Sequence, residues 1–201
     1  MKVNICAKIR LPTHYGQFDV SHVTVQGDGG RGIIREGVVL EKGTVSGPVT
    51  VRVQSSCLFS ESFGATDCDC ALQLLASLER IQTQGGLVLY FYEEGRGAGL
   101  LAKFKAVELQ QVQGFDTRQA YQCLNMSVDE RTYEAAAAVL LELLRDAPIS
   151  LLSNNPDKVE GLKRCGVNII CRERLIVGWE QPAVRSYLQE KGRILNHDIP
   201  N

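Results

Sequence analysis

The stretch Cys57-Leu-Phe-Ser-Glu-Ser-Phe-Gly-Ala-Thr-Asp-Cys68-Asp-Cys70 carries three thiols in one short segment. Thiolates bind a divalent metal of intermediate softness, and Zn²⁺ with three protein ligands keeps a fourth position open for water, as in catalytic sites. A closed structural site needs a fourth ligand, and none is offered nearby. His14, His22 and His197 are all remote in sequence, and Cys123, Cys165 and Cys171 fall in segments that read as helix, helix end and strand. Free cysteine is also among the most buried residue types, so on spacing alone an ordinary core role for the three thiols stays open.

The elements that must position these thiols can be read from periodicity. Val3, Ile5, Ala7 and Ile9 alternate as in a strand, Leu11 to Gly16 breaks the pattern, and Phe18 and Val20 resume it. Gln26 to Gly32 reads as a flexible loop. Short strands follow at Ile33-Ile34, Val38–Leu40 and Val49–Val53, so the N-terminal quarter is β-rich. After the cysteines the period becomes helical, with Leu72, Leu75, Leu78 and Ile81 on one stripe and Gly85-Gly86 as the stop. Leu87–Tyr92 suits a strand covered on both faces, Glu93–Gly99 a loop, and Leu100, Phe104 and Val107 mark a second helix.

Ser127-Val-Asp-Glu130 reads as a capping box opening a third helix that runs through Ala135–Ala138 to Leu144, which places Asp129 and Arg131 in its first turn. Ile149–Leu152 is a strand, Asn155-Pro156 opens a helix closed by Gly166, and Val167–Cys171 is a strand. Pro182–Leu195 reads as a last helix. Strand and helix alternating over Leu87–Cys171 imply an α/β layered sheet with parallel pairing, preceded by the β-rich region, in one domain over residues 1–201. Arg52-Val53-Gln54-Ser55-Ser56 leads into the first cysteine and Glu94-Gly95-Arg96 follows a buried strand, so both segments can line a crevice at strand ends. Ser153 and Lys158 flank a helix start whose free N–H groups suit a phosphate.

Composition bounds the function. The 201 residues are 44% hydrophobic and 22% charged with a net charge of −1, which is ordinary globular material with no general field to attract nucleic acid. The first residues show neither a signal peptide nor a membrane span, so a cytoplasmic address is expected. Seven irregularly spaced cysteines fit reduced thiols in metal or catalytic use better than a disulfide framework.

Over nearly its whole length the chain resembles the GTP cyclohydrolase II family, which opens the imidazole ring of GTP in riboflavin synthesis. The resemblance rests on Leu11-Pro-Thr, Arg52-Val53, Cys57, Cys68-Asp-Cys70, Gln73-Leu74, Glu94-Gly-Arg96, Gly99-Leu-Leu101, Gly114-Phe-Asp-Thr117, Asp129-Glu-Arg131, Ser153-Asn-Asn-Pro156 with Lys158, and Leu175-Ile-Val-Gly178. It implies zinc on Cys57, Cys68 and Cys70, Asp129 as proton acceptor and Arg131 attacking the α-phosphate with pyrophosphate release. It further implies nucleotide contacts from Arg52, Val53, Gln54, Ser55, Ser56, Gln73, Glu94, Gly95, Arg96, Thr117, Ser153 and Lys158, Mg²⁺ arriving with the triphosphate, and a homodimer. Because guanidinium is protonated at any working pH, a charge clamp on the phosphate stands beside the nucleophilic role for Arg131.

Three departures touch the implied site. Val107 occupies the position of the family's catalytic Tyr, Gln54-Ser55-Ser56 replaces the usual His-Ser-Glu, and one extra residue lies between Val107 and Gly114. Ser153 in place of Thr keeps the hydroxyl. Two alternatives therefore accompany full GTP hydrolysis. One is a diverged enzyme that stops at a formamidopyrimidine nucleotide or takes another purine nucleotide, and the other is a catalytically silent nucleotide-binding protein.

Overall fold

A computed structural model describes residues 1–27, 32–43 and 47–200. Most of the expected loop at Gln26–Gly32 lies outside the described residues. Among those residues one seven-stranded sheet runs in the order β1-β2-β3-β5-β4-β6-β7. The strands are β1 (Lys2–Thr13), β2 (Gly16–Gln26), β3 (Ile33–Lys42), β4 (Val49–Ser55), β5 (Gly86–Phe91), β6 (Ile149–Leu152) and β7 (Ile169–Glu173). β1, β2, β3 and β5 pair antiparallel, whereas β5, β4, β6 and β7 pair parallel, so the expected parallel layer carries an antiparallel meander on one edge.

Strand alternation sends side chains to two different cores. Val51, Val53, Leu87, Leu89 and Phe91 meet α4 (Glu134–Leu144) and α5 (Pro156–Arg164) on one face. Phe18, Val20 and Val88 meet Leu78 and Ile81 of α1 (Cys70–Gln84) on the other. The same alternation in β4 turns Arg52 and Gln54 away from the Val51/Val53 core and toward α1, where both are buried. Helices α2 (Leu100–Gln113) and α3 (Thr117–Cys123) form a smaller cluster around Ala106, Ala120 and Tyr121. The last helix, α6, spans Pro182–Leu195 as expected.

Three local expectations are corrected. Strand β1 does not break at Leu11 but continues through Pro12, which an edge strand tolerates because its N–H side need not pair. A bulge between Cys6 and Ile9, with Ala7 at φ 53°, ends the simple alternation and leaves Ile9 exposed. In α2 the buried face is Ala102 and Ala106, while Leu100 is 38% and Phe104 53% exposed.

The third correction concerns Asp129 and Arg131, which lie in an irregular segment because α4 starts only at Glu134. Half of the capping pattern forms: Ser127 N donates to Glu130 Oε1 at 2.7 Å. The N–H of Glu130, which a complete box would give to Ser127, instead donates to the Arg96 carbonyl at 2.9 Å. That bond stitches the segment to the Gly95–Gly97 turn and keeps it from coiling.

Candidate active site

The three cysteines converge. Cys57 follows β4 and precedes a single π-helical turn at Leu58–Ser62, and Cys70 begins α1. The ligand atoms of Cys57, Cys68 and Cys70 all lie within 4.8 Å of one another. Cys57 Sγ and Cys68 Sγ are 3.9 Å apart. Zn–S bonds of about 2.3 Å in tetrahedral array place sulfurs about 3.8 Å apart, so the donor set fits that ion. Hydrogen bonds from the Cys68 and Cys70 thiols push the Cys57 pKa down, and the same contacts raise those of Cys68 and Cys70. Three thiols crowded onto one point thus resist full ionisation unless a cation joins them.

Side chains around the cluster hold it in place. Glu61 accepts from the Cys57 backbone N–H at 3.1 Å, from Tyr90 Oη at 2.5 Å and from Gln54 Nε2 at 2.9 Å. Burial raises its pKa above the usual carboxylate value, against those hydrogen bonds. Lys103 Nζ lies 3.5 Å from Cys57 Sγ and 2.8 Å from Glu94 Oε2, a positive charge beside the thiolates. The other oxygen of Glu94 accepts from the Leu58 N–H at 2.6 Å, so Glu94 braces the π-helical turn and Lys103. Neither Glu61 nor Lys103 carried a sequence signal beyond lying near a cysteine or on a helix.

Next to the thiols, a cavity of about 800 Å³ opens at the C-terminal ends of β4, β5 and β6. Arg52 crosses its floor, giving Nε to Gln54 Oε1 at 2.9 Å and Nη2 to Gln73 Oε1 at 2.6 Å, with Nη1 to the Leu152 carbonyl at 3.0 Å. Burial lowers the Arg52 pKa to about 10. Gln73 is buried and also donates to the Leu175 carbonyl at 3.2 Å. Lys158 is buried too, its Nζ donating to the Val53 carbonyl at 2.7 Å. Burial, reinforced by Arg52 and Arg131, drives its pKa well below the ordinary lysine value. Val53 itself points into the core and offers only its carbonyl.

Arg131 lines the same cavity and is gripped by Asp129, whose Oδ1 accepts from Arg131 Nε at 2.8 Å and whose Oδ2 accepts from Nη2. Burial opposes ionisation of both groups, yet the pairing wins: the Asp129 pKa falls and that of Arg131 rises. Gly95 and Arg96 form a 3₁₀ turn with Arg96 at φ 55°, a left-handed backbone that a long side chain seldom adopts and that turns up at functional sites. Ser55 Oγ donates to Glu93 Oε2 at 2.9 Å, and Ser56 borders the cavity beside it. Thr117 opens α3, with Oγ1 accepting from Gln110 Nε2 at 2.9 Å. Ser153 is buried at the end of β6, its Oγ accepting from the Asn155 N–H at 3.1 Å.

The chain is similar over most of its length to known proteins of one family. The GTP cyclohydrolase II family model matches residues 4–174. A GTP cyclohydrolase-2 from Haemophilus influenzae is 37% identical over 202 residues, covering 98% of this chain and 90% of the relative. The chain belongs to the GTP cyclohydrolase II family. A GTP cyclohydrolase-2 from Acinetobacter baumannii is 38% identical over 203 residues, 98% of this chain and 96% of the relative. The riboflavin biosynthesis protein RibBA of Staphylococcus epidermidis is 38% identical over 99% of this chain, which spans only 49% of that longer relative. Among solved structures, the two-domain 3,4-dihydroxy-2-butanone 4-phosphate synthase RibBX from A. baumannii overlaps 85% of this chain and 40% of its own at TM-score 0.45 and 16% identity, too faint a likeness to argue from.

Within the GTP cyclohydrolase II fold the departures now have places. Val107 lines the cavity and presents no proton donor there. Tyr121, on the adjacent helix α3, lines it too, with Oη donating to the Gly95 carbonyl at 3.2 Å and burial raising its pKa. Gln54 uses its carbonyl for Arg52 and its amide for Glu61, so it couples the cationic floor to the Cys57 turn. Helix α6 supplies a wall that no motif announces: Lys191 Nζ reaches the fully buried Asp69, between Cys68 and Cys70, at 2.7 Å. No helix among the described residues is long and apolar enough to cross a membrane.

Proposed function

We propose that this chain is a zinc-dependent GTP hydrolase, one domain over residues 1–201, that opens the imidazole ring at C8 and releases pyrophosphate. The observation that carries the reading is one cavity holding both a three-thiol cluster fit for Zn²⁺ and the basic side chains Arg52, Arg131 and Lys158. Thiolate donors favour zinc over Mg²⁺, which would enter instead with the triphosphate oxygens. Cys57, Cys68 and Cys70 would hold the zinc, which would supply Lewis acidity able to activate water near neutral pH.

The protein groups have separable tasks. Arg52 and Lys158 meet phosphate charge; the expected free N–H groups of the Pro156 helix start are already taken, Asn155 N–H by Ser153 Oγ and the Asp157 and Lys158 N–H groups by Asn155 Oδ1. Arg131, held rigid and fully charged by Asp129, serves as a clamp on charge developing at the α-phosphate; a guanidinium so firmly protonated is a poor nucleophile. Asp129, with both oxygens committed to Arg131, acts mainly by fixing that guanidinium.

Val107 supports a second reading, in which the reaction halts at the formylated pyrimidine nucleotide. Expelling formate needs a proton delivered to the departing amine, and a placed acid or base contributes about 10²- to 10⁴-fold to such a step. With Val107 in the cavity and Tyr121 tied to a carbonyl, ring opening should outrun deformylation. The test is to incubate zinc-loaded protein with GTP and follow ring opening, pyrophosphate and formate separately. Ring opening and pyrophosphate should keep pace with GTP loss while formate lags, and Val107→Tyr should speed formate release. Formate in step with GTP loss removes the second reading, and intact GTP removes the first.

A further inference from the structure

Residues 175–200 lie beyond the stretch matched by the family model. They nevertheless close one side of the cavity. Helix α6 is fastened to it at several points: Glu190 Oε1 accepts from the Thr117 N–H at 2.8 Å, and Arg193 pairs with Asp116 at 3.0 Å, in addition to the Lys191–Asp69 pair. At Asn196 the chain leaves the helix with φ 53°, a left-handed stop that reverses its direction. The segment beyond is strapped down in turn. The Asp198 N–H donates to the Asn154 carbonyl at 2.8 Å, and its carboxylate pairs with Arg172 and, at 2.8 Å, with Arg174.

Between these fastenings sits His197. His197 lines the cavity, and its Nε2 is buried with no hydrogen-bond partner among the described residues. A buried ring nitrogen without a partner is costly, and such a group in a native structure asks for an absent partner. The charges nearby say what kind. Burial, then Lys191, Arg131, Lys158 and Arg96, all disfavour a proton on this imidazole, so the ring is neutral and sits among basic side chains. Such a space attracts an anion, and the Asp198–Asn154 bond places His197 beside the Ser153–Lys158 segment.

We propose that His197 is a substrate contact, its Nε2–H donating a hydrogen bond to a phosphate oxygen of the bound nucleotide, and that the 196–198 strap is part of the substrate site. This rests on the reading of the cavity as a GTP site. A neutral imidazole can give that bond without adding another charge to an already cationic wall, and it leaves Lys191 free to hold Asp69.

The test uses the full, zinc-loaded chain and calorimetric titration with GTP, inorganic triphosphate and guanosine. His197→Leu keeps the bulk and removes the donor; His197→Gln keeps a donor. His197→Leu should weaken GTP and inorganic triphosphate about tenfold, leave guanosine unchanged and keep its zinc, while His197→Gln retains most of the parent affinity. Asp198→Ala, which frees the strap, should reproduce the loss even where His197→Leu folds poorly. Equal triphosphate affinity in parent and both donor-free or strap-free variants overturns the proposal. Triphosphate binding that is weakened in His197→Leu, without GTP binding by the parent, supports the contact and overturns the GTP reading; a parent that binds neither overturns both.

Discussion

At the scale of single residues the proposed site divides into thiols that could hold a metal and side chains that would meet charge. Cys68→Ser removes one of three thiolates, and metal analysis should show zinc falling from one per chain to a small fraction, with loss of ring opening; full metal content would contradict the ligand set. Arg131→Ala should suppress pyrophosphate release by at least 10²-fold with modest change in GTP affinity, whereas Lys158→Ala should chiefly weaken binding. In the proposed function the first group acts on charge developing at the α-phosphate and the second on charge already present. Parent-like pyrophosphate release in Arg131→Ala, or parent-like affinity in Lys158→Ala, would remove that residue from its role.

Lys158 also predicts a pH dependence. Its pKa in the free protein is depressed, so there is a window below the ordinary lysine value in which it is neutral until an anion arrives and restores the proton. GTP binding should then take up a proton on the alkaline side, and affinity should fall as pH rises through that window. Calorimetry in two buffers of different ionisation enthalpy reads the uptake directly, and Lys158→Met should diminish it. Zero uptake at every pH from 7 to 9 would show that the lysine stays charged.

At the scale of elements, α6 acts as a brace for the cysteine turn. Asp69 is fully buried, and Lys191 at 2.7 Å is the cation that compensates it. Lys191→Met leaves a buried carboxylate unpaired, which typically costs about 3 kcal/mol or more. Thermal unfolding should show that loss, and Asp69→Asn combined with Lys191→Met should recover part of it, because the second change removes the stranded charge. Additive losses would mean that the pair does not act as a unit. The segment before α4 makes the complementary point: Ser127, Asp129 and Glu130 have helix-start chemistry, yet a single backbone bond from Glu130 to Arg96 diverts them into a loop that aims Arg131 at the cavity.

At the scale of the whole molecule, α2 turns Ala102 and Ala106 inward and leaves Leu101 70% and Val112 76% exposed, with Phe104 half exposed against Phe59. So much apolar side chain on one helix supports the homodimer implied by the family. Sedimentation of the parent should show a dimer, and Leu101→Asp should shift it toward monomer; a monomeric parent at working concentration would count against the assembly.

Sequence by itself determined what local chemistry and periodicity encode. The spacing of Cys57, Cys68 and Cys70 marked the metal candidate, the period change after Cys70 marked α1, Asn155-Pro156 marked the start of α5, and the order of many short motifs marked the family. Each of these is written in neighbouring residues. Tertiary structure alone decided which solvent-like residues are buried, because burial depends on which remote elements close over them. Gln73, Lys158 and Arg52 became a cavity floor only when α1, α5 and β4 came together, and Glu61, Lys103, Lys191 and His197 acquired partners, or the lack of one, from elements far away in the chain. Hydrogen bonds across such distances leave no periodic trace, so the groups that orient the thiols, Glu61 and Lys103, and the wall that α6 and His197 add to the cavity could be read only from the folded chain.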